Sequence, residues 1–312
     1  MASLLEAVQW NNIPIGSGAA SGAVNLSIGT IGSGTPIGLI TAGIHGDEGV
    51  WGAWAIRKLL MQTALDDLRG TLRIIPTANP LAMEADLRNA PLDMLDLNRV
   101  FPGNPSGSHT ERLAAAIVEH GAAGANVVID LHGGGSWCVN AFAHVFAGFE
   151  ALAQAFNPPF LANAAERTVT LTGYARTQGA QVVAMEMGGK SEQEDHWAER
   201  IALGLRRVLG MTGVLSPVAL PEHYQSIPVG QSMVLRPSRG GLFVPRVRTH
   251  EVGTMVPQGT LLGELLDPYT LEVTERFEAP FAQTALLLLR PQMTRIEGGA
   301  MTYVIAEPVT NN

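Results

Sequence analysis

A chain of 312 residues has room for one catalytic domain and a smaller second one, and its 46% hydrophobic and 15% charged composition excludes disorder. A formal charge of −8 argues against nucleic acid or an anionic membrane as the main partner and favours an enzyme of small molecules. The single cysteine, Cys138, excludes an internal disulfide and a thiolate metal cluster and fits a reducing, cytoplasmic setting.

The opening residues Met1-Ala2-Ser3-Leu4-Leu5-Glu6 show no basic region followed by an apolar run, so no secretory signal is expected. Up to about residue 35, short alternating segments broken by glycine, such as Ala23-Val24-Asn25-Leu26-Ser27-Ile28, predict an antiparallel entry hairpin. From there to about residue 210, apolar strands alternate with helical stretches, the pattern of an α/β sheet. Strands are expected at Ile37–Thr41, Thr71–Ile75, Val127–Leu131 and Val182–Met185, and helices over 48–62, 109–120, 148–156 and 191–209. Trp197, Ile201, Leu205 and Val208 share one face of the last helix, which reads as core.

After Ser216-Pro217 the helical pattern stops, and glycine and proline punctuate short strands, as in Gly240–Val244 and Gly259–Gly263. The expected division is a catalytic α/β domain over 1–215 and a smaller all-β domain over 216–312. The apolar stretch Ala285–Leu289 is too short to cross a bilayer.

Three strand ends deliver metal-ligating or acid–base residues. His45-Gly46-Asp47-Glu48 follows the first parallel strand, with His45 and Glu48 three apart at the start of a helix and able to reach one ion. Asp130-Leu131-His132-Gly133-Gly134-Gly135 follows the third, and its glycines would let the backbone pass close to a bound group. Asp130 could orient a ligand or serve a simple turn. Met185-Glu186-Met187-Gly188-Gly189 follows the fourth and puts a lone carboxylate where α/β sheets bind ligands.

Two His and one Glu leave zinc an open fourth position for water, the pattern of a catalytic site, and zinc lowers the pKa of such a water to about 7. Glu186 is then the carboxylate that takes its proton and returns it to the leaving nitrogen. Leu97-Asn98-Arg99, in a loop bounded by Pro102 and Gly103, suits a carboxylate grip. Arg88 lies in a similar irregular stretch, where a plain surface role is the simpler expectation. His109 and His120 read as helix-end residues, and His196, His223 and His250 show no ligand spacing. His144, in an alternating strand past His132, could approach the site, with a structural role the simpler expectation, and Cys138 has no identifiable base.

Together, His45-Gly46-Asp47-Glu48, Asp96-Leu97-Asn98-Arg99, Asp130-Leu131-His132 and Met185-Glu186-Met187-Gly188 resemble, in order and spacing, the succinylglutamate desuccinylase/aspartoacylase family of zinc carboxypeptidase-like proteins. The resemblance spans roughly residues 36–210, and the glycine-punctuated C-terminal region also looks like that family's second domain. It implies a zinc carboxypeptidase-like mixed sheet flanked by helices, one zinc per chain, and hydrolysis of a small carboxylate-bearing N-acyl amino acid. By position, His45, Glu48 and His132 match the metal ligands, and Asn98 and Arg99 the substrate-carboxylate grip. Glu186 matches the general base, and Arg88 looks like the carbonyl-polarising arginine.

The spacing from Arg88 to Asn98 suits the Gly-rich branch that includes N-acetyl-diaminobutyrate deacetylases. Two departures stand out. Gly133-Gly134-Gly135 replaces a bulkier polar run. Arg176 sits where aspartoacylases place an arginine for a side-chain carboxylate, yet its flanks Thr172-Gly173-Tyr174-Ala175 match poorly. A zinc carboxypeptidase or amidase of short peptides is the alternative within hydrolases, and a non-catalytic zinc-dependent binding protein the alternative outside them. No nucleic acid or membrane partner is expected, and a homo-oligomer is left open.

Overall fold

The computed structural model describes residues 2–18, 22–48, 50–135, 138–217 and 225–309. The entry hairpin is present as β1 (Gln9–Gly18) and β2 (Gly22–Gly32), paired antiparallel. Then come β3 (Ile37–Ala42), α1 (Trp51–Gln62), β4 (Thr71–Ile75), α2 (Pro80–Glu84), α3 (His109–Ala116) and β5 (Val127–Gly134). β6 (Val139–Val145), α4 (Glu150–Ala155), β7 (Phe160–Asn163), α5 (Leu171–Thr177), β8 (Gln181–Gly189) and α6 (Glu194–Met211) follow.

The order across the sheet is β1-β2-β4-β3-β5-β8-β6. β4, β3, β5 and β8 run parallel, as strands with both faces covered should. All eight residues of β5 are buried. On one face α1 packs against α6, burying Trp51, Ala55, Ile56 and Leu59 beside Trp197, Ile201, Leu205 and Val208, at helical spacing. Ser108 caps α3 in a capping box with Glu111, so His109 opens the helix next to its cap, as expected. The helix expected from residue 48 begins instead at Trp51, and Gly46–Glu48 form a 3₁₀ turn before it.

The C-terminal region supplies β9 (Ile227–Val229), β10 (Met233–Leu235), β11 (Gly241–Pro245), β12 (Met255–Pro257) and β13 (Leu261–Leu266). It ends with β14 (Val273–Glu278), β15 (Gln283–Leu289), β16 (Thr294–Ile296) and β17 (Tyr303–Ala306). A separate four-stranded antiparallel sheet runs β14-β13-β11-β16. The other strands extend the first sheet. β15 pairs with β6 (Leu288 opposite Asn140), β17 with β15, and β10 with β17, making thirteen strands among the described residues. The apolar run at 285–289 is therefore buried β15, and no helix among the described residues is long and apolar enough to cross a membrane.

Candidate metal and catalytic site

The 3₁₀ turn after β3 and the end of β5 bring three donors together. His45, Glu48 and His132 each offer one atom, all within 4.8 Å of one another, and so could hold a metal ion. Their arrangement is directional. His45 Nδ1 lies 2.5 Å from Glu48 Oε1 and His132 Nδ1 lies 3.1 Å from Glu48 Oε2, so both imidazoles turn the same nitrogen to the shared carboxylate.

Their other nitrogens face carboxylates: His45 Nε2 is 3.1 Å from Asp96 Oδ1, and His132 Nε2 is 2.7 Å from Asp130 Oδ2. A histidine whose far nitrogen is held by a carboxylate is fixed in tautomer and direction, which is how proteins aim metal ligands. Asp130, fully buried and accepting from Thr41 Oγ1 at 2.6 Å, thus holds the His132 ring rather than making a turn. Burial alone would raise Asp96, but its hydrogen bond to His45, the His45 charge and Arg88 outweigh that and hold its carboxyl well below the usual range.

The glycines of both motifs pack tightly. A Cβ on Gly133 would stand 2.2 Å from the Trp51 ring, and one on Gly188 would stand 3.1 Å from it. The Trp51 indole donates to the Glu48 carbonyl at 2.5 Å and lies wedged beneath the strand ends. Side chains at Gly134 or Gly189 would collide with the Cys138 carbonyl, at 1.9 and 2.1 Å. These glycines admit an indole and a neighbouring chain, and Gly133 and Gly135 also line the site cavity, where the backbone meets the space for a bound group.

Glu186 opens into the same cavity, of about 650 Å³, that His45, Glu48 and His132 line. Burial pushes its carboxyl up to about 7. Two residues of β6 flank it. Asn140 Nδ2 donates to Glu186 Oε2 at 2.7 Å, and His144 Nε2 lies 3.9 Å from Oε1. The structural role expected for His144 gives way to a place in the cavity wall, where burial lowers its pKa to about 4 and keeps the ring neutral.

Arg88, Asn98 and Arg99 also line this cavity. Arg88 reaches Asp96 Oδ2 through NH2 at 2.9 Å and Nε at 3.3 Å, with NH1 3.7 Å from Glu48 Oε1. Asn98 Oδ1 accepts from the Leu171 N–H at 2.9 Å, leaving Nδ2 beside His132. Arg99 donates to the Asn98 carbonyl at 2.7 Å and is otherwise exposed.

Arg176 is not brought to this cavity. It lines a neighbouring cleft, 3.6 Å from Glu166. The helix α5 that carries it starts beside Asn98 but points its Arg176 face away, toward the Ala147 carbonyl. His120, His196 and His250 lie in a π turn over Ile117–Ala122, on α6 and in a 3₁₀ turn, apart from the site, and His223 lies outside the described residues.

Sequence patterns alone left two residues of the site without a role. Asp96 was visible only as the first letter of its motif, although a carboxylate before Asn98-Arg99 is the natural cap for that 3₁₀ turn and its side chain accepts from the Asn98 N–H. Asn140, a polar residue in an apolar alternating strand, gave only a faint signal.

Residues 35–211 match the succinylglutamate desuccinylase/aspartoacylase catalytic domain. The chain belongs to that family. Over 118 residues it is 39% identical to the N-alpha-acetyl-L-2,4-diaminobutyric acid deacetylase of Halomonas elongata, a match covering 38% of this chain and only 34% of that relative. The fold superposes on a succinylglutamate desuccinylase from Silicibacter sp. TM1040 with a TM-score of 0.80 at 27% identity, covering 97% of this chain and 95% of the other. A product-bound ectoine utilization protein from Ruegeria pomeroyi gives a TM-score of 0.80 at 26% identity, with 96% and 95% covered.

Proposed function

We propose that the chain is a zinc-dependent hydrolase of the amide bond in a small N-acyl amino acid that carries a carboxylate. One observation carries this: a His-Glu-His donor set and the Glu186 carboxyl share one cavity. Two imidazole nitrogens and a carboxylate suit one zinc ion, held by His45, Glu48 and His132 with a coordination position to spare. Bound there, zinc would supply Lewis acidity toward a carbonyl and toward water.

The chain's own groups do the rest. Asp96 and Asp130 keep the far imidazole nitrogens protonated. With His132 Nε2–H donating to Asp130, the nearby Asn98 Nδ2 hydrogens are free for a substrate carboxylate. Arg99 adds its guanidinium to that grip. Arg88, anchored on Asp96, presents positive charge to the developing oxyanion. Glu186 takes a proton from the attacking water and gives it to the nitrogen as the C–N bond breaks, so oxygen ends on the acyl group and hydrogen on the amine. Arg176 has no part in this scheme.

In the proposed division, residues 1–215 carry the reacting groups and 216–312 close one side of the cavity. Arg236, Leu288, Arg290, Met301 and Val304 line it from there. That wall favours small substrates over peptides, and the diaminobutyrate deacetylase relative supports a short acyl group on a small amino acid.

The test is amine release from a panel of N-acetyl, N-succinyl and N-formyl amino acids and short peptides, by wild-type protein and Glu186→Gln, each with measured zinc. Release from an acylated amino acid that the variant abolishes while keeping zinc supports the proposal. Release from peptides alone replaces it with a carboxypeptidase, and a silent, zinc-loaded wild type removes the deacylase claim.

A further inference from the structure

Glu186 owes its position to β6. Phe142 is the antiparallel partner of Glu186, with Asn140 opposite Gly188 and His144 opposite Ala184. Alternate residues of a strand share a face, so Asn140, Phe142 and His144 all line the cavity with Ala184 and Glu186. β6 is hydrogen-bonded on both sides, to β8 and β15, and the glycines at 134 and 189 let the chain at Cys138 lie close against β5 and β8. Asn140 therefore has little freedom to move relative to Glu186.

Its amide is oriented by chemistry. Asn140 is 3% exposed, and Nδ2 is the atom 2.7 Å from Glu186 Oε2. Ionised Glu186, the form that acts as a base, only accepts, so the donor end of the amide faces it and Oδ1 faces the other way. That oxygen is buried and has no hydrogen-bond partner among the described residues. A buried amide oxygen without a donor is costly to keep, so it calls for a donor from outside the chain. Asn140 lines the cavity and its Nδ2 touches the Glu186 carboxylate, so its unpartnered oxygen lies within one amide group of that carboxylate.

We propose that Asn140 reads the scissile amide: Nδ2 positions Glu186, and Oδ1 accepts the substrate N–H, which persists on the nitrogen after C–N cleavage. This rests on the deacylase reading above and adds a specificity element to it. An ester offers oxygen where the amide offers N–H and cannot satisfy Oδ1. Asn140 thus favours amides over esters in addition to holding the base.

The test compares Nα-acetyl-L-2,4-diaminobutyrate with its ester counterpart, 2-acetoxy-4-aminobutanoate, on zinc-loaded wild type, Asn140→Leu and Asn140→Asp, with zinc content and melting temperature recorded for each. Asn140→Leu removes both functions and is expected to lower the amide-to-ester ratio of kcat/KM about tenfold. Asn140→Asp keeps an acceptor oxygen but puts a like charge against Glu186. It is expected to lower kcat on both probes while holding the ratio near the wild-type value.

An unchanged ratio in Asn140→Leu overturns the N–H contact and leaves Asn140 a positioning residue only. Equal kcat on the ester in wild type and both variants overturns the positioning role. If wild type cleaves neither probe, the deacylase reading is what fails for them. Binding then decides for Asn140: the amide must raise the wild-type melting temperature more than the ester does, and Asn140→Leu must erase that difference.

Discussion

The ends of β3, β5 and β8 and the sheet β14-β13-β11-β16 handle charge in opposite ways. At the strand ends His45, Glu48, Asp130 and His132 are at most 5% exposed, and each contacts another ionisable member of the cluster. In the C-terminal sheet Glu264 is bracketed by Arg246 at 2.5 Å and Arg276 at 3.3 Å, guanidinium groups that stand 51% and 63% exposed. The second arrangement is ordinary cross-strand pairing in contact with water. The first is expensive to bury and persists where a cation or a reaction uses it. Burial of the partners, rather than the number of charges, separates the candidate site from ordinary surface pairing.

That contrast breaks most visibly at Glu186. Glu186→Gln is expected to lower kcat about 10²- to 10⁴-fold in the amine-release assay with zinc retained, whereas Arg276→Ala leaves kcat unchanged. Asp130→Asn sharpens it one contact away from the donor set. Zinc affinity by competition with a chelator should fall about 10- to 100-fold, because His132 loses the carboxylate that aims it.

Glycines give the next comparison. Gly133→Ala drives a methyl group into Trp51 and should cost about 1–3 kcal/mol in denaturant unfolding. Gly259→Ala in the C-terminal region meets open space but sits at φ +79°, and should cost about 1 kcal/mol.

Histidine 144 supplies a pH test. Its folded pKa is about 4 against an ordinary 6.5, so below pH 6.5 the unfolded chain takes up a proton that the folded one refuses. Stability should fall as pH drops from 6.5 toward 4, and in chelator His144→Phe should flatten that slope. The smallest effect is expected at Arg276→Ala, whose melting temperature should stay within error of wild type.

Much of this was legible in the sequence because parallel strands write themselves as apolar runs and deliver their polar residues at the ends. β4 has the predicted limits, β3, β5 and β8 contain the predicted runs, and all three metal-capable residues and Glu186 come to one cavity. What was hidden depends on sheet register. His144 and Asn140 reach Glu186 because β6 runs antiparallel to β8 with Phe142 opposite Glu186, and no local pattern encodes that pairing. Arg176 misses the cavity for a similar reason: a short helix, not a strand end, sets its direction. The merging of β15 and β17 into the first sheet was equally invisible, since edge pairing is decided by which strand is left open.

The wedged indole has a consequence for how such sequences vary. Trp51 and the glycines at 133 and 188 are one object cast in three places along the chain, a side chain and its mould. Shrinking the indole would leave a hollow directly under the carbonyl of Glu48, and enlarging either glycine would push the indole out from beneath it. The three positions should therefore change together or not at all, and a relative that carries bulk after its second histidine should carry a smaller residue at the start of the first helix.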